Sequence, residues 1–281
     1  MLSSNAAVLT PSTLGEALEL RAQNPDAVPL AGGTDVMVFL ELGSIDPKSF
    51  IDLWGVRELD TIESKPDGGL RIGALVTYTT MVADTRVQAS APSLCEAART
   101  VGARQIQNRG TLIGNIANAS PAGDSLPVLL ALDAEVELAS AARGTRMVAM
   151  NDLYTGYRQL DMAADELITA VHLPPAHPDD HHYYRRVGTR LAQAISKVVM
   201  GARIRIEGRK VTQARIAYGS VAATPVRLPL VEQALVGRAV DPAVAGLVAQ
   251  AIQPIDDIRS TSDYRLAVAQ RILEGYLESL R

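Results

Sequence analysis

With 281 residues, 47% hydrophobic and 21% charged side chains and a net charge of −4, the chain has the balance of a folded globular protein, not of a disordered or collagen-like one. The length suggests about two units, and the acidic balance argues against nucleic acid as the main partner. The single cysteine, Cys95, excludes a disulfide framework, a four-cysteine zinc site and an iron–sulfur cluster of the chain's own, so any redox chemistry needs a borrowed organic cofactor.

The opening Met1-Leu2-Ser3-Ser4-Asn5 lacks the basic region of a signal peptide, and no run approaches the ~18 apolar residues of a membrane span. A cytoplasmic chain without a span is expected. Ala7-Val8-Leu9 predicts a strand, and Thr10-Pro11-Ser12-Thr13 offers caps to a helix Leu14–Gln23 with Leu14, Ala17, Leu18 and Ala22 on its apolar face. Residues 27–30 predict a second strand, ended by Ala31-Gly32-Gly33. Thr34 and Asp35 can cap a turn of helix over 36–42, and 49–53 predict a third strand.

Beyond Val56, a strand follows the Pro66-Asp67-Gly68 turn, and helices are predicted over 77–83 and 93–101. A polar loop, Asn118 to Ser125, leads into an apolar helix 126–132, with Pro127 in its first turn and Asp124 or Ser125 as its cap. Strands are predicted at 134–138 and 165–173. His177 to His182 reads as a linker. After it, 195–206 and 215–222 alternate like antiparallel strands around the turn Glu207-Gly208-Arg209-Lys210, and helices follow at 230–236, 242–251 and 262–280.

Four segments could carry chemistry. Pro29 to Asp35 runs from a strand through paired glycines to a helix start, where N–H groups can converge on an anion; alone it reads better as a plain tight turn. Asn108 to Asn115 combines glycine, a hydroxyl and amides that can donate to phosphate; alone it is a weak signal beside a capped loop entering an apolar helix. In Ser120-Pro121-Ala122-Gly123-Asp124 the carboxylate is either a helix cap or an acceptor for a ligand. Tyr183 to Val198 is basic, as a phosphate-facing segment or a solvated strand edge would be. His177, Asp179, Asp180, His181 and His182 are contiguous, which is poor geometry for a metal shell, and Cys95 reads as a buried thiol. No G-x-S-x-G elbow, H-E-x-x-H motif or pair of catalytic carboxylates stands out, so neither a catalytic nor a metal-binding residue is assigned.

The order of these motifs is the informative feature. Leu30-Ala31-Gly32-Gly33-Thr34-Asp35, Gln107 to Asn115 and Ile116 to Pro127 resemble the FAD-binding subunits of the molybdenum hydroxylases, which include the medium subunit of carbon monoxide dehydrogenase and the flavin subunit of xanthine dehydrogenase. Arg186 to Val198 and the tail Asp257 to Arg265 look like the same family, so the likeness covers nearly the whole chain.

The resemblance implies an α+β fold. It comprises an FAD-binding region of the vanillyl-alcohol-oxidase type in two α/β subdomains (1–55 and 56–177) and a C-terminal domain (178–281) with a small antiparallel sheet and helices. It also implies non-covalent FAD. Leu30, Ala31, Gly32, Gly33, Thr34, Asp35, Val36 and Met37 would hold the pyrophosphate by backbone amides, with Asp35 as a cap. Thr111, Leu112, Ile113, Gly114 and Asn115 would form a second phosphate loop. Val101 would lie near the flavin ring, Asp124 would accept from the cofactor, Ile168 would offer backbone contacts, and Arg186 would stand on the flavin side.

Ile113 departs from the family's glycine pair. A β-branched residue resists positive φ, so either the backbone there is ordinary or the loop is shifted, and looser FAD contacts are expected. As implied, a large molybdopterin-binding subunit and a small [2Fe–2S] subunit would be the partners, in a dimer of three-subunit units, and FAD would pass electrons from the clusters to an external acceptor. A stand-alone flavin oxidoreductase and an assembly subunit that has lost FAD are the rival readings.

Overall fold

The computed structural model describes residues 6–281. The signal-peptide reading of Met1–Asn5 falls outside them. The first unit is a parallel three-stranded sheet of order β1-β3-β2, formed by β1 (Ala7–Leu9), β2 (Val28–Leu30) and β3 (Ser49–Asp52). Parallel neighbours need crossovers, supplied here by α1 (Leu14–Gln23) and α2 (Val36–Glu41). Thr13 caps α1 by accepting from the Glu16 N–H at 3.2 Å. The predicted apolar face of α1 is only partly right, because Ala17 and Arg21 are buried whereas Ala22 is exposed.

A five-stranded sheet of order β4-β5-β10-β6-β7 follows. Its strands are β4 (Ile62–Ser64), β5 (Leu70–Gly73), β6 (Glu135–Ser140), β7 (Gly144–Ala149) and, later in the chain, β10 (Leu167–Leu173), which pairs antiparallel with both β5 and β6. Between β5 and β6 run the short helices α3 (Tyr78–Ala83), α4 (Thr85–Ser90), α5 (Pro92–Thr100), α6 (Arg104–Gln107), α7 (Leu112–Asn118) and α8 (Leu126–Ala131). Between β7 and β10 lie α9 (Met150–Leu153) and a hairpin of β8 (Tyr154–Gly156) and β9 (Gln159–Leu160). One apolar core, including Ile51, Ile72, Leu94, Ile116, Leu129 and Leu138, runs under both sheets. Cys95 is buried in it, as expected of a structural thiol.

The last sheet has order β11-β12-β13-β14 and is antiparallel throughout. It contains β11 (Asp180–Val187), β12 (Val198–Glu207), β13 (Lys210–Gly219) and β14 (Val226–Arg227). Met200, Ile204, Ile216 and Tyr218 face a second core completed by α10 (Pro229–Leu235), the 3-10 helix Pro242–Gln250 and α11 (Ser262–Ser279). The opposite face lies against α8. It can do so because Gly201 and Gly219 lack side chains where the backbone of Val128 and the Pro121 carbonyl approach.

The linker expected at 177–182 is half wrong. Asp180, His181 and His182 begin β11, an edge strand registered on Arg205, Ile204 and Arg203. The Asp180 carboxylate is satisfied by Arg205 at 2.8 Å, a partner that local sequence does not reveal. Consecutive strand residues point to opposite faces, so His181 and His182 cannot share a metal shell.

A cleft between two helix starts

The strand β2 ends at Leu30 and the chain turns through Ala31-Gly32-Gly33 into α2. Gly33 takes a left-handed backbone, φ +76. Gly32 is required for another reason: a Cβ there would overlap the Arg109 carbonyl oxygen and stand 2.5 Å from the carbonyl carbon. The two glycine-bearing loops that the sequence singled out therefore touch backbone to backbone. The second loop is pinned in turn by Tyr78, whose N–H donates to the Gly110 carbonyl at 3.0 Å.

Among the described residues, the N–H groups of Gly33, Thr34, Asp35 and Val36 form no hydrogen bond. Those of Leu112 and Ile113, in the first turn of α7, are equally free, while Thr111 caps this helix by accepting from the Gly114 N–H at 2.9 Å. Between the two starts opens a cleft of about 450 Å³. Its wall includes Ala31, Gly32, Gly33, Thr34, Asp35, Val36, Val101, Thr111, Ile113, Gly114, Asn115 and Ile168. Such free N–H groups at a glycine turn and a helix start are the donors a diphosphate requires, and apolar walls suit a ring system at either side. The residues present therefore fit an extended dinucleotide such as FAD.

Leu30, Met37, Leu112, Asp124 and Arg186 do not line the cleft wall. Leu30 and Met37 pack beside Gly33, and Leu112, the first residue of α7, is fully buried in the core. Asp124 and Arg186 form a separate buried pair, Nε to Oδ2 at 3.2 Å, with 11% and 4% of their side chains exposed. Ser196 bridges them, donating to Asp124 and accepting from Arg186 Nε at 2.8 Å. Burial pushes the Asp124 carboxyl upward, opposed by the Ser196 hydroxyl and the guanidinium. One nitrogen of Arg186, Nη2, is buried without a partner.

Two expected caps are absent. Asp35 already has helical backbone (φ −89, ψ −41), so its side chain cannot reach back to the N–H groups of α2 and makes no capping bond. Instead its carboxyl lies near Asn118 and Arg158, and burial raises its pKa against their opposing pull. Asp124 does not cap α8. The cap position falls on Ser125, also helical, whose hydroxyl donates to Asn115 Oδ1 at 2.7 Å.

Ile113 resolves the question its sequence posed. It sits in the first turn of α7 with ordinary backbone, 5% exposed, and contributes to both the core and the cleft wall. Ile113→Gly is expected to lower the unfolding free energy by about 3 kcal/mol, from lost burial and helix propensity, as read by urea unfolding. A loss within error would contradict that packing.

Sequence reasoning missed Tyr78 and Arg21, both of which line the cleft. A single tyrosine or a helical arginine carries no local signal of facing inward.

The chain matches the family described as FAD binding domain in molybdopterin dehydrogenase over residues 4–176, and the CO dehydrogenase flavoprotein C-terminal domain over 160–280. It is 33% identical over 267 residues to a xanthine dehydrogenase FAD-binding subunit of Escherichia coli, covering 92% of this chain and 90% of that one. It is 31% identical to the glyceraldehyde dehydrogenase medium chain of Sulfolobus acidocaldarius, covering 92% of each. Its fold superimposes on a chain of carbon monoxide dehydrogenase from Hydrogenophaga pseudoflava with a TM-score of 0.93 at 27% identity, covering 98% and 96% of the two chains. Two adjoining glycine loops, free N–H groups on residues lining the cleft and these matches along nearly the whole length converge: the chain belongs to the FAD-binding subunits of the xanthine and carbon monoxide dehydrogenase type of molybdenum hydroxylase.

Proposed function

We propose that this chain is the electron-output subunit of a cytoplasmic molybdenum hydroxylase. It holds FAD between the [2Fe–2S] clusters of a small subunit and an external acceptor, and a large subunit carries the molybdenum cofactor and the substrate. The observation that carries this reading is the set of free N–H groups on residues that line one cleft, Gly33–Val36 on one loop and Ile113 on the other. Bound FAD supplies the redox chemistry; the protein contributes placement and electrostatics.

In this reading the N–H groups of Gly33 to Val36, with that of Ile113, hold the diphosphate. Each charge-assisted bond of this kind contributes roughly 1.5–3 kcal/mol, so non-covalent retention is sufficient. Val101 and Ile168 offer apolar wall to the rings. Asp124 and Arg186, joined through Ser196, fix the position of β11 against the loop 119–125. No side chain of this chain needs to act as acid or base. Partners would assemble as a dimer of three-subunit units. The rival reading as an FAD-less assembly subunit rested on Ile113, whose backbone is ordinary.

The purified chain is expected to show flavin bands in its visible spectrum or to acquire them on adding FAD. It is also expected to co-purify with an iron–sulfur and a molybdenum-bearing polypeptide. A colourless protein that takes up no FAD would favour the scaffold reading; a flavoprotein that turns over substrate without partners would favour the stand-alone oxidoreductase.

A further inference from the structure

Arg21 is an unusual residue to find in the wall of this cleft. It lies near the end of α1 and is 8% exposed. Its Nη1 donates to the Ala27 carbonyl at 2.6 Å, its Nε is buried without a partner, and its Nη2 donates to no group among the described residues. Asp26 and Asp165 attract the guanidinium, but neither is close enough to form an ion pair with it, and Asp165 is held by Arg143 at 2.6 Å. An arginine does not deprotonate in a protein, and a buried cation without a counter-partner is costly. Such a group is retained where something else completes its hydrogen bonds.

Its place in the fold says what that could be. Ala27 immediately precedes β2, and the far end of β2 runs into the Gly32–Gly33 turn. The cleft thus extends along one strand from the diphosphate-holding loop back to Arg21, with Val28 and Pro29 of β2 and Leu167 of β10 in its wall. An apolar slot with one N–H fork suits a flat ring that has acceptor nitrogens at its edge and an adjoining phosphate.

Resting on the FAD reading above, we propose that Arg21 recognises the AMP half of the cofactor and makes the chain select FAD over FMN. The acceptors are the adenine nitrogens or the adjoining phosphate oxygens, both of which a guanidinium fork serves.

The test uses the full chain with Arg21→Met, whose side chain fills similar space without charge. Flavin fluorescence gives the dissociation constants for FAD and FMN, and thermal melting gives the stability of the apo form. The FAD constant is expected to rise roughly tenfold, the FMN constant to stay, and the apo melting temperature to hold or rise, because an unpaired buried charge has been removed. Competition by ADP and by adenosine separates the two acceptors. If the variant loses sensitivity to both, the base is read; if to ADP alone, the phosphate is read. An unchanged FAD constant, or equal weakening of FAD and FMN, overturns the assignment. So does an apo form that melts several degrees lower, since the guanidinium then serves only the Ala27 carbonyl. Failure of the native chain to bind FAD would instead overturn the parent reading, and this assignment with it.

Discussion

Gly32→Ala is expected to abolish FAD retention and to destabilise the chain more than any other single methyl addition at the cleft. The added Cβ would overlap the Arg109 carbonyl oxygen, and the next atoms in its way, the Arg109 carbonyl carbon and the Gly110 nitrogen at 3.1 Å, are also backbone. No flexible side chain can yield. One loop has to move, and each direction has a cost. Shifting Ala31–Asp35 drags the free N–H groups that face the cleft. Shifting Arg109–Gly110 pulls on the Tyr78 N–H bond to Gly110 and on the Arg109 guanidinium, which lies 3.7 Å over the Trp54 ring. Overpacking costs about 1–3 kcal/mol in ordinary cores and more where only backbone can relax. The FAD dissociation constant should therefore rise by two orders of magnitude or more, because several charge-assisted bonds lose their geometry together. Gly275→Ala is the control. It sits exposed in α11 with no atom within 4 Å of the added Cβ, and it should gain about 0.5–1 kcal/mol from helix propensity. A Gly32→Ala protein that retains FAD and melts with the native chain would show that the two loops do not depend on their contact.

That contact also marks the limit of what the sequence discloses. Each glycine loop was legible as a strand–turn–helix pattern, and the order of the motifs pointed to the family. Their mutual packing was not legible, because it joins residues about eighty positions apart. The same limit explains the elements that were missed. The strand β7 carries exposed Thr145, Arg146 and Met147, so it lacks an apolar alternation; Arg146 is held there by Asp161 at 2.9 Å and Glu166 at 2.8 Å. The start of β11 reads as polar loop because its charges are answered across the sheet, by Arg205 for Asp180. By contrast β1 and α1 were predicted to the residue, since their signals are local: a short apolar run and a Thr13 cap. Asp35 for α2, and Asp124 or Ser125 for α8, were expected as helix caps because residue type at a helix start suggests capping, whereas the backbone angles decide it and none of the three caps.

The joint between α8 and the C-terminal sheet supplies the second large effect, at Asp133. Arg203 and Arg215 face each other directly across β12 and β13, a like-charge pairing that ordinarily destabilises a sheet, and Arg227 lies on the next strand. The turn after α8 inserts one carboxylate among them. Asp133 accepts from Arg215 Nε at 2.6 Å and Arg203 at 3.2 Å on one oxygen, and from Arg227 at 2.7 Å on the other. It reaches this position through a left-handed backbone, φ +54, that asparagine also tolerates. Asp133→Asn therefore keeps the turn and removes only the charge. Arg203, with 6% of its side chain exposed and its Nε already unpartnered, would lose its ion pair and keep only the attraction of Asp180, which does not contact it. Breaking a fully buried pair costs about 3–5 kcal/mol; the Asp133 side chain is 38% exposed, so solvent reduces the expected loss to about 2 kcal/mol. In a chain of this size that lowers the melting temperature by roughly 4–8 °C. Arg203→Met in the same background should recover part of the loss, because it removes the charge that Asp133 was answering. FAD affinity should be unchanged in both proteins, as neither residue lines the cleft. If Asp133→Asn melts with the native chain, or if Arg203→Met adds to the loss instead of relieving it, the carboxylate is not what reconciles the three arginines.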